Sequence, residues 1–258
     1  MAAEIAAVAK AVRPLGTTEA ARAAGFSPVF GWIPTMGEHW VNRPAMRNKP
    51  TDMLAPDNLM FSRIGGRDSL VGAAYAYYAP ANDSARPPIF GGAPAWHEHA
   101  NLAPPGQSLV MLHVWFVPSP DGPFAGTNPN LPFWAAGLDA PDATRMRDRA
   151  FASRVRRAAL ALAEVADTTA IFANLERRPA VHEAIAPRRD SIRAIVPELR
   201  QAQRARDTAR IDALTERLAT QWDAMFATYR SAAITPDGRR RIDDFIAMLM
   251  SDHGDHAH

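Results

Sequence analysis

The sequence predicts an α+β protein, with a small, antiparallel, loop-rich β domain over residues 1–135 and an α-helical domain, a hairpin or bundle, over 136–258. Three observations predict it. Of 22 prolines, 17 precede residue 136, together with 12 of 15 glycines and five of six tryptophans. The remainder holds 20 of the 27 arginines and is rich in Ala and Leu. Pro and Gly punctuate turns, whereas Ala, Leu and Arg favour helix. Apolar residues run in short strand-like blocks in the first half and at 3–4 spacing in the second. The boundary falls in AAGLDAPDA, residues 135–143, and no repeat of fixed period occurs.

In chain order, TTEAARAA (17–24) reads as a short capped helix stopped by Gly25. NLMFSRI (58–64) and LVGAAYAYYA (70–79) read as strands, with Gly65 and Gly66 supplying a hairpin turn. QSLVMLHVWFV (107–117) is apolar on both faces, which predicts a central buried strand ended by Pro118 and Pro120. The intervening Pro-rich segments read as long connections. In the second half a helix is predicted over 143–174 from a cap at Asp142. A segment over 180–205 must break or kink at Pro187 and Pro197. The best helix is 208–231, where Ile211, Leu214, Leu218, Trp222, Met225 and Tyr229 share a stripe. The last, 236–250, has Thr235 as N-cap and Pro236 at its first position. The tail SDHGDHAH, with His253, His256 and His258, reads as disordered and solvated, or as an adventitious metal binder.

Composition removes several function classes. A chain of 258 residues with 47% hydrophobic and 22% charged residues folds around one large or two small cores. A net charge of +2 is too small to argue for nucleic acid or an acidic membrane surface. Without cysteine there is no disulfide, thiolate metal site, iron–sulfur cluster or cysteine nucleophile. No run of 18 apolar residues exists to span a membrane. The first residues, MAAEIAAVAKAVRPL, lack the basic and apolar regions of a signal peptide. Either the protein is cytoplasmic, or it is periplasmic or secreted after removal of a signal that this chain does not carry.

Histidine carries the one chemical signal. His39, His97, His99 and His113 lie in the β-rich half, in the contexts MGEHW, WHEH and LHVW. An extended H-x-H places His97 and His99 on one face, so both can bind one ion. His113 shares a strand face with Leu109, Met111, Trp115 and Val117. Burial of its ring requires partners for its nitrogens, and a metal can be one. His39 is either a fourth ligand or a group that positions a ligand or water. Neutral imidazoles suit zinc or copper first, then nickel or iron, and disfavour calcium and magnesium. The alternative is that His113 is bonded to a backbone carbonyl and that the others are loop residues.

Glu98 should point away from the H-x-H pair, and Glu38 and Asp121 are carboxylate neighbours with little to separate them. Met36, Met46, Met53, Met60 and Met111 occupy the same half. They read as core fillers, or as thioethers that favour copper(I). Five tryptophans read as core, or as the lining of a small-molecule pocket. The segment 120–134 reads as a lid, or as a structural loop held by Asn128 and Asn130 turns. No zincin, serine-hydrolase, P-loop or dinucleotide motif is present.

The segments TTEAARAAGF, IPTMGEHWVNRPAM, PDNLMFSR, LVGAAYAYYAP, WHEH and LHVWFVPSPDGPFAGTNPNLPF resemble a family of uncharacterised bacterial secreted or lipid-anchored proteins. Its pattern is Met-Gly-x-His-Trp-x-Asn-Pro, a Leu-Val-Gly-x-x-Tyr strand, and Leu-His-x-Trp followed by an Asn-Pro loop. The resemblance covers residues 17–134 and matches His39, Asn42, His97, His99 and His113. Arg43 intervenes before Pro44, a departure that touches the loop and not His39. It implies export and a linked role for His39 and His113. Residues 180–250, ending ITPDGRRRIDDF, are similar to CpxP-like periplasmic metal-resistance proteins, which implies metal handling.

Together these readings lead to a transition-metal-binding protein of the bacterial cell envelope, a carrier or sensor. Its partners would be the metal ion, a small-molecule ligand, and a second copy through the helical domain. Two alternatives stand beside it: a metalloenzyme with an open metal-bound water, and a metal-free binding or scaffold module.

Overall fold

The structure, a computed structural model, describes residues 1–47, 49–92, 96–166, 170–233 and 235–250. The histidine-bearing tail and residues 167–169 of the helix predicted over 143–174 lie outside the described residues. The fold is α+β, as the composition predicts. Two short helices, α1 (Ala2–Val12) and α2 (Thr18–Ala23), precede the sheet. α2 begins where expected, because Thr17 Oγ1 accepts from the Ala20 N–H at 3.2 Å.

Six strands follow: β1 (Ser27–Ile33), β2 (Gly37–Val41), β3 (Asn58–Ile64), β4 (Arg67–Pro80), β5 (His97–His99) and β6 (Gln107–Trp115). They form one antiparallel sheet in the order β1-β2-β3-β4-β6-β5. Gly65 and Gly66, with φ of 57° and 79°, make the two-residue β3–β4 turn. The sequence reading missed β1 and β2. β1 contains Pro28 and Gly31, which weaken any strand signal, and it is tolerated because it is an edge strand.

The two sheet faces bury different things. One face presents Trp40, Leu59, Phe61, Ala73, Tyr75, Leu112 and Val114, and packs under α1, α2 and Phe90. Asp57 joins β3 to β4 here, since both carboxyl oxygens accept from the Ala76 N–H, at 3.0 and 3.1 Å. The other face presents His39 and Met60, the small residues Gly72, Ala74 and Ala76, and then Met111, His113 and Trp115. It is covered by Ala125 and by Leu131 of α3 (Asn130–Ala135).

The helical half contains α4 (Arg149–Ala166), α5 (Ala170–Glu176), α6 (Pro179–Ala205), α7 (Thr208–Ala232) and α8 (Pro236–Met250). Two expectations are corrected. Asp142 caps only a 3₁₀ turn over Ala143–Arg147. The α-helix proper starts at Arg149, capped by Asp148, whose carboxylate accepts from the Ala150 and Phe151 N–H groups. Of the break or kink expected at Pro187 and Pro197, the break is absent: α6 is one helix through both. Both prolines are exposed, while Val181, Ile185, Ile192, Ile195 and Leu199 bury the opposite stripe. The carbonyls that lose a partner thus face water, and packing against α7 holds the helix together. α7 and α8 match their predicted ranges, with Asp207 and Thr235 as caps.

Inside this bundle Arg189 donates to Glu164 and Glu176 at 2.6 Å each, and Tyr229 donates to Glu176 at 2.5 Å. Glu164 is only 1% exposed. Burial alone would lower the Arg189 pKa, but its hydrogen bonds to Glu176 and Glu164 raise it, so the guanidinium stays charged. The bundle core reaches back to Met36 and Phe133 of the first half.

Candidate metal centre

β2 owes its start to Gly37. Its φ is 76°, and a Cβ there would sit 2.4 Å from the Phe61 carbonyl oxygen. Only glycine fits this turn and brings the following Glu-His-Trp onto β3. From Gly37 side chains alternate, so Glu38 and Trp40 share one face and His39 takes the other. Glu38 then accepts from Trp40 Nε1 at 2.7 Å, away from His39.

His39 pairs across β2–β3 with Met60, Met60 pairs with Gly72 of β4, and His113 of β6 pairs with Ala74. His39 and His113 are therefore separated by three strand spacings, about 14 Å in a flat sheet. Their Nε2 atoms nevertheless lie 3.2 Å apart. The sheet must curl with this face inward, and a bulge at Met60/Phe61 supplies the bend. Gly72 makes the approach possible. A Cβ at that position would meet Met60 Cε at 2.4 Å and the Val114 carbonyl oxygen at 2.6 Å.

The segment after β6 orients His113. The Gly126 carbonyl accepts from His113 Nδ1 at 2.9 Å, and the Ala125 carbonyl accepts from Trp115 Nε1 at 2.7 Å. Asn128 and Asn130 both donate to the Pro118 carbonyl at 3.1 Å, and Asn128 Oδ1 accepts from the Asn130 N–H. Asn128 N–H donates to the Thr35 carbonyl at 2.6 Å, tying this loop to the turn before β2. The segment 120–134 is thus a structural brace. Because a carbonyl only accepts, Nδ1 of neutral His113 carries the proton and Nε2 presents its lone pair toward His39.

His97 and His99 lie on β5 beside β6, with His97 opposite Met111 and His99 opposite Leu109. They share the histidine face, as the H-x-H spacing predicts. The four imidazoles form a run: ring centroids are 5.2 Å apart for His39 and His113, 5.1 Å for His113 and His97, and 5.0 Å for His97 and His99. The run goes from buried to half-buried, since His39 and His113 are 5% and 1% exposed. Burial, with a smaller contribution from His99, pushes the His39 pKa down to about 4, so its ring is neutral at ordinary pH. Among the described residues no group of three or more His, Asp or Glu side chains is placed so that it could hold a metal ion.

The donor chemistry fits a transition metal. Two imidazole nitrogens on a tetrahedral zinc at roughly 2.0–2.1 Å lie about 3.3 Å from each other. The carboxylates considered from the sequence are engaged elsewhere. Glu98 pairs with Arg86, and Asp121 with Arg156 at 2.8 Å. His182 is exposed on α6. The sequence leaves open whether His39 is a fourth ligand or a positioning group, and the family resemblance links it with His113; in the structure the two rings face each other. It also missed Gly126, whose role lies in its backbone carbonyl, and Gly72, whose role is the room it leaves. A cavity of about 300 Å³ bordered by Phe133, Arg145, Gln203 and Asp212 touches none of the four histidines. Among the described residues no helix is long and apolar enough to cross a membrane. No protein-family profile, curated protein or solved structure matches the chain.

Proposed function

We propose that the protein is a transition-metal-binding protein of the bacterial cell envelope, a carrier or sensor. The ion would sit between His39 Nε2 and His113 Nε2, with His97 and His99 as further donors. One observation supports this reading above the others: two buried Nε2 atoms face each other at 3.2 Å, while His113 Nδ1 is already committed to the Gly126 carbonyl. That is the arrangement by which proteins fix the tautomer and direction of a metal-binding histidine. The low exposure of both rings favours holding an ion over catalysis at an open metal-bound water. Placement in the envelope rests on the family resemblance.

The test is a thermal-shift series on the full chain with zinc, copper, nickel and iron. A ligand that binds only the folded state at 100 times its Kd stabilises by about 2.7 kcal/mol. The expected result is a shift with zinc or copper that His113→Ala abolishes. An equal shift in His113→Ala would overturn the assignment.

A further inference from the structure

The histidine face also carries thioethers. Met60 is the direct cross-strand neighbour of His39. Met111 is the direct cross-strand neighbour of His97 and lies two residues before His113 on the same side of β6. Both are in the apolar cluster that covers this face, Met60 fully buried and Met111 9% exposed, and Met46 packs against the same cluster. The tight fit of the Met60 methyl over Gly72 fixes where that side chain lies. Every ring of the His39–His113–His97 run thus adjoins a sulfur-bearing side chain.

The charge balance points the same way. Glu38, Glu98 and Asp121, the carboxylates nearest in sequence, each have another partner, and there is no cysteine. A site of imidazole and thioether offers only neutral donors. Burial of an ion costs free energy that grows with the square of its charge. A divalent ion would keep its full charge among Leu109, Trp115, Ala125 and Leu131, whereas a monovalent ion carries about a quarter of that penalty. Soft thioether sulfur selects copper(I) among biological metals.

Resting on the reading of the His39–His113 pair as a metal site, we infer that its ion is copper(I) and that Met60 and Met111 supply thioether ligands. The test is anaerobic competition of the full chain for copper(I) presented as its bicinchoninate complex, beside a zinc titration with a chromophoric chelator. Both are repeated on Met60→Leu/Met111→Leu, which conserves volume and should keep the fold, checked by circular dichroism. The expected result is one copper(I) per chain, held more tightly than zinc. The double variant should lose about tenfold or more in copper(I) affinity with zinc affinity unchanged. X-ray absorption of the copper(I) form should show sulfur scattering that the variant lacks. Tight zinc with weak copper(I), or copper(I) affinity indifferent to the methionines, would overturn the copper(I) assignment and leave the histidine site standing. Binding of neither metal would overturn both.

Discussion

His39 Nε2 and His113 Nε2 lie 3.2 Å apart although their strands are separated by two others. Glycine and alanine on β4 open the space between them, a bulge in β3 curls the sheet, and the loop after β6 holds one ring by its far nitrogen.

Gly72→Ala tests the first of these. The added methyl would meet a backbone carbonyl as well as Met60. Overpacking of this kind costs about 1–3 kcal/mol. Chemical denaturation should show a loss in that range, and metal-induced stabilisation should weaken with it. A neutral substitution would mean that the face is not tightly filled.

Asn128→Ala tests the brace. The Asn128 side chain is fully buried and holds the Pro118 carbonyl and the Asn130 N–H beside the Gly126 carbonyl. Partners that orient a ligand typically matter by about 10–100-fold in metal affinity. A metal titration of Asn128→Ala should show a loss in that range while the folded spectrum persists. Unchanged affinity would remove Gly126 from the account of His113.

The helical half depends on a buried charge network. Arg189→Met leaves Glu164 and Glu176 without their cation, a change that costs about 3–5 kcal/mol in comparable settings. Arg193→Met, at an exposed pair with Asp190, should leave the unfolding midpoint nearly unchanged. Equal effects from the two substitutions would contradict the network's role.

Asp57 sets a pH dependence. Burial pushes its carboxyl up to about 7 from an ordinary value of 3.8, against the hydrogen bonds it accepts. Between those values the folded protein binds more protons than the unfolded chain, so stability falls as pH rises. His39, pushed down to about 4 from 6.5, acts in the opposite direction over an overlapping range. The wild-type curve is therefore flattened, and the comparison with Asp57→Asn carries the signal. From pH 4 to 7 the wild type should lose roughly 2–4 kcal/mol relative to Asp57→Asn, with no further divergence above. Parallel curves would mean that Asp57 ionises normally.

Much of this architecture was legible because it lies in local periodicity. β3, β4 and β6 were readable from apolar runs bounded by glycine and proline, and α7 from its 3–4 stripe. β1 was not, because Pro28 and Gly31 depress strand propensity and only its edge position makes them acceptable, and β2 is a five-residue segment opened by Gly37. That α6 runs unbroken through its prolines was not legible, because their exposure on the outer side of a packed helix is a tertiary fact. The four histidines were visible as candidates, and H-x-H alternation placed two of them on one face. Contact between His39 and His113 depends on sheet curvature and on the absence of side chains at Gly72, neither of which a linear pattern displays.

The most direct measurement is metal content by elemental mass spectrometry on the full chain with His253, His256 and His258 changed to alanine, so that the tail cannot contribute. The same chain with His39→Ala/His113→Ala serves as the comparison. Close to one equivalent of zinc or copper is expected after loading and dialysis in the first and essentially none in the second. Equal metal in both, or none in either, would contradict the assignment of His39 and His113 as a metal-binding pair.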